Sequence, residues 1–149
     1  MANPGTFLSV DLKSWVFGTI KKVQQGTDWN NAWQKTYREL GGKSEESGKK
    51  GCPMNATKTL YLLGRINGSN MPYKNLPPRE VWENYSKNGV YALLALEILS
   101  RNPSISLNDL WSRIQERVRE ELGEEPALSN QGGPTVAYKL WNLGLIVNP

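Results

Sequence analysis

The chain repeats itself, and that repeat limits its architecture more than any other feature. Leu60-Tyr61-Leu62-Leu63-Gly64-Arg65-Ile66 recurs as Leu140-Trp141-Asn142-Leu143-Gly144-Leu145-Ile146, 80 positions later. Upstream, Ala32-Trp33 recurs as Leu110-Trp111, 78 positions later. A small-residue turn and a proline precede the last helix of each copy, as Gly51-Cys52-Pro53 and as Gly132-Gly133-Pro134. Self-similarity at a fixed spacing marks a supersecondary unit used twice.

Helical periodicity dominates the rest. A helix is expected over Leu12 to Gln25, with Trp15, Thr19 (or Phe17), Ile20 and Val23 as its apolar stripe. Asp28 can cap a second helix that runs to about Leu40 and aligns Trp29, Trp33 and Tyr37. Gly41-Gly42 stop it, and residues 43–51 read as a polar loop. Pro53 suits the first position of a third helix, ending near Gly64, with Ala56, Leu60 and Leu63 facing inward. Residues 67–78 read as a linker, because Asn67-Gly68-Ser69-Asn70 is turn chemistry and Pro72, Pro77 and Pro78 forbid a continuous helix. The second unit then follows the same plan. It has a short helix over Pro78 to Tyr85 and a strongly apolar one over Val90 to Ser100. A helix capped by Ser106 runs to about Leu122, and the last spans Pro134 to Leu143. No alternation supports a real sheet, although a short pair could form at Ile66 or at Ile146.

Composition removes several kinds of chemistry. The 149 residues contain no His, so Ser-His-Asp and Cys-His nucleophile pairs and His-based zinc sites are excluded. The single Cys52 excludes an intrachain disulfide, which fits a reducing cytosol. No apolar run is long enough to cross a membrane, and Met1 to Asp11 lack the pattern of a signal peptide. A cytoplasmic protein without a membrane partner is therefore expected. The net charge of +4 is uneven: residues 1–78 hold 11 Lys+Arg against 5 Asp+Glu, and residues 79–149 hold 7 against 9. A basic half suits an anionic partner, nucleic acid above all, whereas head-to-tail attraction between halves is the plainer reading.

The helix, turn, helix, Leu-Gly-x-Ile succession resembles the end of a helix-turn-helix unit, whose second helix enters the major groove. In the first unit that helix would display Asn55, Lys58, Thr59 and Leu62, flanked by Lys43, Lys49, Lys50 and Arg65. Lysines at a helix N-terminus meet phosphates, and an Asn can read adenine. The matching surface of the second unit, Thr135, Tyr138, Lys139 and Asn142, is less basic. The competing reading is a packing unit whose solvated face carries lysines. Cys52 beside Lys49 and Lys50 could be a reactive thiol, but a small side chain in a tight turn explains it more simply. The pairs Glu45-Glu46, Glu120-Glu121 and Glu124-Glu125 point apart on a helix and share no site; Glu116 and Glu120 are placed to pair with Arg113, Arg117 or Arg119. Gly48-Lys49-Lys50-Gly51 lacks the spacing of a phosphate loop. The six Trp could stack single-stranded bases, yet Trp29, Trp33, Trp111 and Trp141 fall on inner helix positions and read as core.

Ala32-Trp33, then Ser44, Ser47 and Lys50-Gly51-Cys52-Pro53, then Ala56 and Leu60, together resemble an uncharacterised bacterial domain family of unknown function. Tyr85, Lys87-Asn88 and Tyr91-Ala92-Leu93 fit a shortened form of that family's pattern. So do Ser129-Asn130-Gln131, Val136, Leu140-Trp141 and Gly144-Leu145-Ile146. Thr57 replaces an aromatic, and Gly132-Gly133-Pro134 is extra. The resemblance covers most of residues 28–147 and implies a small cytosolic protein, with no reaction attached. It singles out Ser44, Ser47, Lys50, Cys52, Lys87, Asn88, Asn130 and Gln131 as polar positions that could line one site between the units.

The sequence thus predicts an all-α protein of two pseudo-repeated three-helix units, 1–66 and 79–149, joined at 67–78 and packed as one body. The leading functional expectation is a non-enzymatic module that binds nucleic acid through Lys43, Lys49, Lys50, Asn55, Lys58 and Arg65, without cofactor or metal. The alternatives are a protein-interaction adaptor of a defence- or phage-related kind, and a small-ligand binder using the polar positions between units.

Overall fold

The computed structural model describes residues 5–148. The chain is mostly helical, as expected, with a two-stranded hairpin at its start. Strands β1 (Thr6–Phe7) and β2 (Val10–Asp11) pair antiparallel, with Phe7 opposite Val10. Their turn holds Leu8 at φ 50° and Ser9 at φ 73°. Tight hairpin turns want positive φ at both central residues, a demand that Asn-Gly usually meets. Leu-Ser gives no such signal, which is why the sequence hides the hairpin. The Tyr37 hydroxyl donates to the Leu8 carbonyl at 2.9 Å and ties the turn down.

Helix α1 (Leu12–Gln24) starts on Asp11, whose carboxylate accepts the Ser14 backbone N–H. Helix α2 (Trp29–Glu39) starts in the same way on Asp28 and ends where Gly41 takes φ 81°. The supposed loop at 43–51 instead contains a short helix, α3 (Glu45–Lys49), capped by Ser44 and favoured by two acids in its first turn. Five residues carry no periodicity to read. Helix α4 (Gly51–Leu62) begins two residues before Pro53, which is tolerated because the first-turn N–H groups have no helical partner. After irregular backbone come α5 (Pro78–Asn84) and α6 (Lys87–Arg101), the latter capped by Ser86 through the Gly89 N–H. Helix α7 (Leu107–Arg117), capped by Ser106, widens into a π turn at Val118–Leu122 that Gly123 closes. Helix α8 (Gly133–Asn142) completes the fold.

One apolar cluster takes residues from both halves of the chain. Helix α6 is central: Val90, Ala92, Ala95, Leu96 and Leu99 have no exposed surface. It packs against α4, α5, α7 and α8, and α4 also packs on α8. A column of rings fills the first half. Trp15 stacks on Trp33 at 4.0 Å, Trp33 on Trp29 at 6.2 Å, and Trp29 on Tyr61 at 5.1 Å. These rings are core, as their helix positions implied; Trp141, also expected inside, is only half-buried.

The two Leu-Gly-x-Ile tails meet. Gly64 at φ 70° and Gly144 at φ 72° end α4 and α8 with matching hydrogen bonds, Arg65 N–H to the Leu60 carbonyl and Leu145 N–H to the Leu140 carbonyl. Ile66 and Ile146 then form an antiparallel bridge. The Asn67 N–H donates to the Leu145 carbonyl, and the Val147 N–H donates to the Arg65 carbonyl, both at 2.8 Å. Gly64 has a second reason to be glycine, since a Cβ there would stand 2.3 Å from the Pro72 carbonyl oxygen. The segment after the first tail passes that close because the Lys74 N–H donates back to the Leu63 carbonyl.

Candidate functional site

The basic residues of the first half divide by location. Lys43, Lys49 and Lys50 are exposed on and around α3, and Lys50 holds the cap position of α4. No side chain caps that helix. Lys49 and Lys50 stand exposed at that start, and ammonium groups beside a helix N-terminus favour anions. Asn55 leans over the same turn, its side-chain nitrogen 3.7 Å from where a Cβ on Gly51 would stand. Lys58 is half-buried and close enough to Asp28 to help hold that carboxyl below its ordinary value.

The recognition-helix picture needs correction at Thr59. It was expected on the open face of α4, but it is 3% exposed and its hydroxyl bonds the Asn55 carbonyl and Ser86. No residue of α4 is fully exposed, because α6 and α8 cover it. The helix that would have to enter a groove is central to the fold. Arg65 lies past the other end of the helix from Lys50, roughly 18 Å away for twelve residues. One phosphate cannot touch both.

The polar positions of the family pattern are partly brought together. The N-terminal turns of α4, α6 and α8 converge. Gly133 faces Ala56 and Asn88 at 3.5 Å from its would-be Cβ, and the Cys52 thiol donates to the Gln131 side-chain oxygen at 3.1 Å. Asn130 accepts the Gly132 N–H at 2.9 Å and donates to Thr135 at 3.0 Å, which fixes the turn into α8. Thus Cys52, Asn88, Asn130 and Gln131 share one neighbourhood. Ser44 is occupied as the cap of α3, where the Ser47 N–H is its donor. Lys87 sits over the Trp82 ring at 5.3 Å, and Lys50 stays exposed.

A cavity of about 480 Å³ opens elsewhere, between the tail of α4, residues 73–78 and the α6 face that carries Leu93 and Leu94. Its polar lining is Arg65, Tyr73, Lys74, Asn75, Glu97, Ser100 and Asn148. Of these the sequence reading singled out only Arg65, because the segment 67–78 has no periodicity to place it. The one available signal was the mismatch inside the repeat, where Leu145 matches Arg65. The Arg65 Nε–H donates to the Val147 carbonyl at 2.9 Å, and the guanidinium carbon stands 5.7 Å from the Tyr73 ring centroid. Burial lowers its pKa, and no carboxylate contributes to offset this.

A second, more open groove of about 720 Å³ runs between α6 and α7 and is crowded with charge. Arg117 bonds both Glu121 and Glu97, which raises its own pKa and lowers that of Glu121. Arg119 pairs with Glu125. Glu116 and Glu120, the partners expected from sequence, are in no ion pair among the described residues.

Among the described residues no group of three carboxylates or thiols gathers at metal-binding distance, and no helix is long and apolar enough to cross a membrane. No curated protein and no solved structure matches the chain. A family model does match, over residues 16–147, which adds most of α1 to the span that the sequence motifs pointed to. The chain therefore belongs to DUF6979, a family of unknown function.

Proposed function

We propose that this chain is a non-enzymatic nucleic-acid-binding module that grips the phosphate backbone through Lys43, Lys49, Lys50, Asn55 and Lys58, without inserting a helix into a groove. One observation carries the reading. Residues 1–78 contain 11 Lys+Arg, and only Lys22, bonded to Glu39, is in an ion pair among the described residues; the other ten are not. In the second half four of the seven, Arg79, Arg101, Arg117 and Arg119, are paired among the described residues. Cations without internal partners are the ones free to displace counterions from a polyanion. The uncapped start of α4 adds backbone donors beside Lys49 and Lys50. In this reading the two units, 1–66 and 79–149, are pseudo-repeats of a cytoplasmic protein with different tasks: the first binds, and the second braces it through α6 and α8.

The test is fluorescence anisotropy with labelled single- and double-stranded DNA and RNA, at low and at physiological salt. Affinity should fall steeply with salt. Lys49→Glu with Lys50→Glu should weaken binding to all sequences and lower the salt slope by about 2. No binding at low salt, or binding indifferent to the double reversal, would overturn the proposal.

A further inference from the structure

The Arg65 cavity supports a separate inference. A guanidinium has five N–H donors in a fixed fork. Here Nε–H is used on the Val147 carbonyl, and neither Nη has a hydrogen-bond or ion-pair partner among the described residues. The stack on Tyr73 and the bond to Val147 hold the group in place, so its outer edge is preorganised for a planar or tetrahedral anion. Packing does not require a cation at this position, since the matching place in the second tail is Leu145. Lys74 lines the same cavity and is in no ion pair. Among the described residues the one carboxylate there, Glu97, is already held by Arg117 at 3.1 Å and Arg101 at 3.7 Å. The free charge that the described residues turn to the cavity is therefore positive. The opposite wall is apolar, formed by Leu76, Val90, Leu93 and Leu94. A volume of about 480 Å³ is ordinary for a small-molecule site.

We propose that this cavity binds a small organic anion, with its carboxylate or phosphate on Arg65 and Lys74 and its apolar body against Leu76, Leu93 and Leu94. The site is distinct from the nucleic-acid surface: Lys43, Lys49 and Lys50 lie at the start of α4 and Asn55 and Lys58 along it, whereas Arg65 and Lys74 lie past its end.

The experiment uses the full chain and three matched probes: 4-phenylbutyrate, 4-phenylbutyl phosphate and the neutral 4-phenylbutan-1-ol. Binding is followed by amide shifts in two-dimensional NMR. At least one of the two anions should bind with a Kd of about 1 mM or tighter and shift Arg65, Lys74 and Leu94, with the alcohol at least tenfold weaker. Whichever anion binds more tightly tells a carboxylate ligand from a phosphate ligand. Arg65→Met should abolish the preference for the anion. Leu93→Trp should fill the cavity and remove binding while leaving every cation in place, so the test survives if Arg65→Met fails to fold. Lys49→Glu with Lys50→Glu should leave probe affinity unchanged, which separates this site from the nucleic-acid reading. Equal affinity for acid and alcohol, unchanged binding in Leu93→Trp, or no binding by either anion would overturn the proposal.

Discussion

Three of the stacked indoles differ in one respect that stability measurements can read. Trp15 donates its N–H to the Trp33 carbonyl at 2.9 Å, and Trp29 donates to Met54 at 3.1 Å. The N–H of Trp33 has no partner among the described residues, and neither has that of Trp111. Trp15 and Trp33 are both fully buried, so replacing either by Phe removes the same ring atoms from the same column. The transfer and cavity costs are then similar, and the difference isolates the hydrogen bond. Losing the Trp15 bond costs about 1 kcal/mol, whereas deleting the Trp33 donor relieves a burial penalty of about 1–3 kcal/mol. Trp15→Phe should therefore be less stable than Trp33→Phe by at least about 2 kcal/mol, or roughly 4–8 °C in Tm for a chain of this size. Urea unfolding followed by far-UV circular dichroism is the appropriate assay, because tryptophan fluorescence changes with the substitution itself. The slope m should stay constant across the pair. If Trp33→Phe loses as much stability as Trp15→Phe, the Trp33 N–H is satisfied in solution, and the reasoning fails.

Gly89→Ala should destabilise by about 1–3 kcal/mol in the same assay, because its Cβ would stand 2.7 Å from the Thr59 Cβ where α4 and α6 cross; a neutral effect would mean that the two helices separate at little cost. Stability should be nearly flat between about pH 6 and 8, since there is no His to titrate, and should fall below about pH 4. Asp11, held by the Ser14 hydroxyl and N–H, and Asp28, held by the Asn31 N–H, both have pKa values below the ordinary 3.8. Glu39 and Glu121, bonded by Lys22 and Arg117, lie below the ordinary 4.5. A carboxyl depressed in the folded state stabilises fully above its unfolded pKa and loses that contribution as pH falls through the folded one. Urea midpoints across this range provide the check, and a midpoint that rises on acidification would contradict the assignment.

The helices with strong periodicity were legible. Helices α2 and α7 were visible as Trp and Leu at helical spacing behind Asp28 and Ser106, and the start of each differs from its sequence position by no residue. The repeat placed a short β-branched tail at Ile66 and another at Ile146, but that the two pair with each other was not legible, because 80 residues separate them. What escaped had no local pattern. The hairpin depends on Leu8 and Ser9 accepting positive φ, and α3 is too short to show a period. The burial of Thr59 depends on α6 and α8, which lie far along the chain. The cavity escaped for the same reason. Tyr73 and Lys74 look like linker until the Leu63 carbonyl draws them back over α4. Of the polar candidates, Cys52 and Gln131 meet across 79 positions through a contact that their spacing alone could not place.

The paired tails also set an order on synthesis. The segment around Ile66 reaches its partner only when Leu145 to Val147 have been made, 80 residues later. At about 5–20 residues per second on the ribosome, that is a wait of roughly 4–16 s. Until then the Asn67 N–H and the Arg65 carbonyl must hydrogen-bond to water, and the part of the α4 face that α8 will cover stays open. A nascent chain of this kind leaves an apolar helix face uncovered for seconds, so chaperone binding should concentrate on ribosome-bound chains that end between residues 66 and 145.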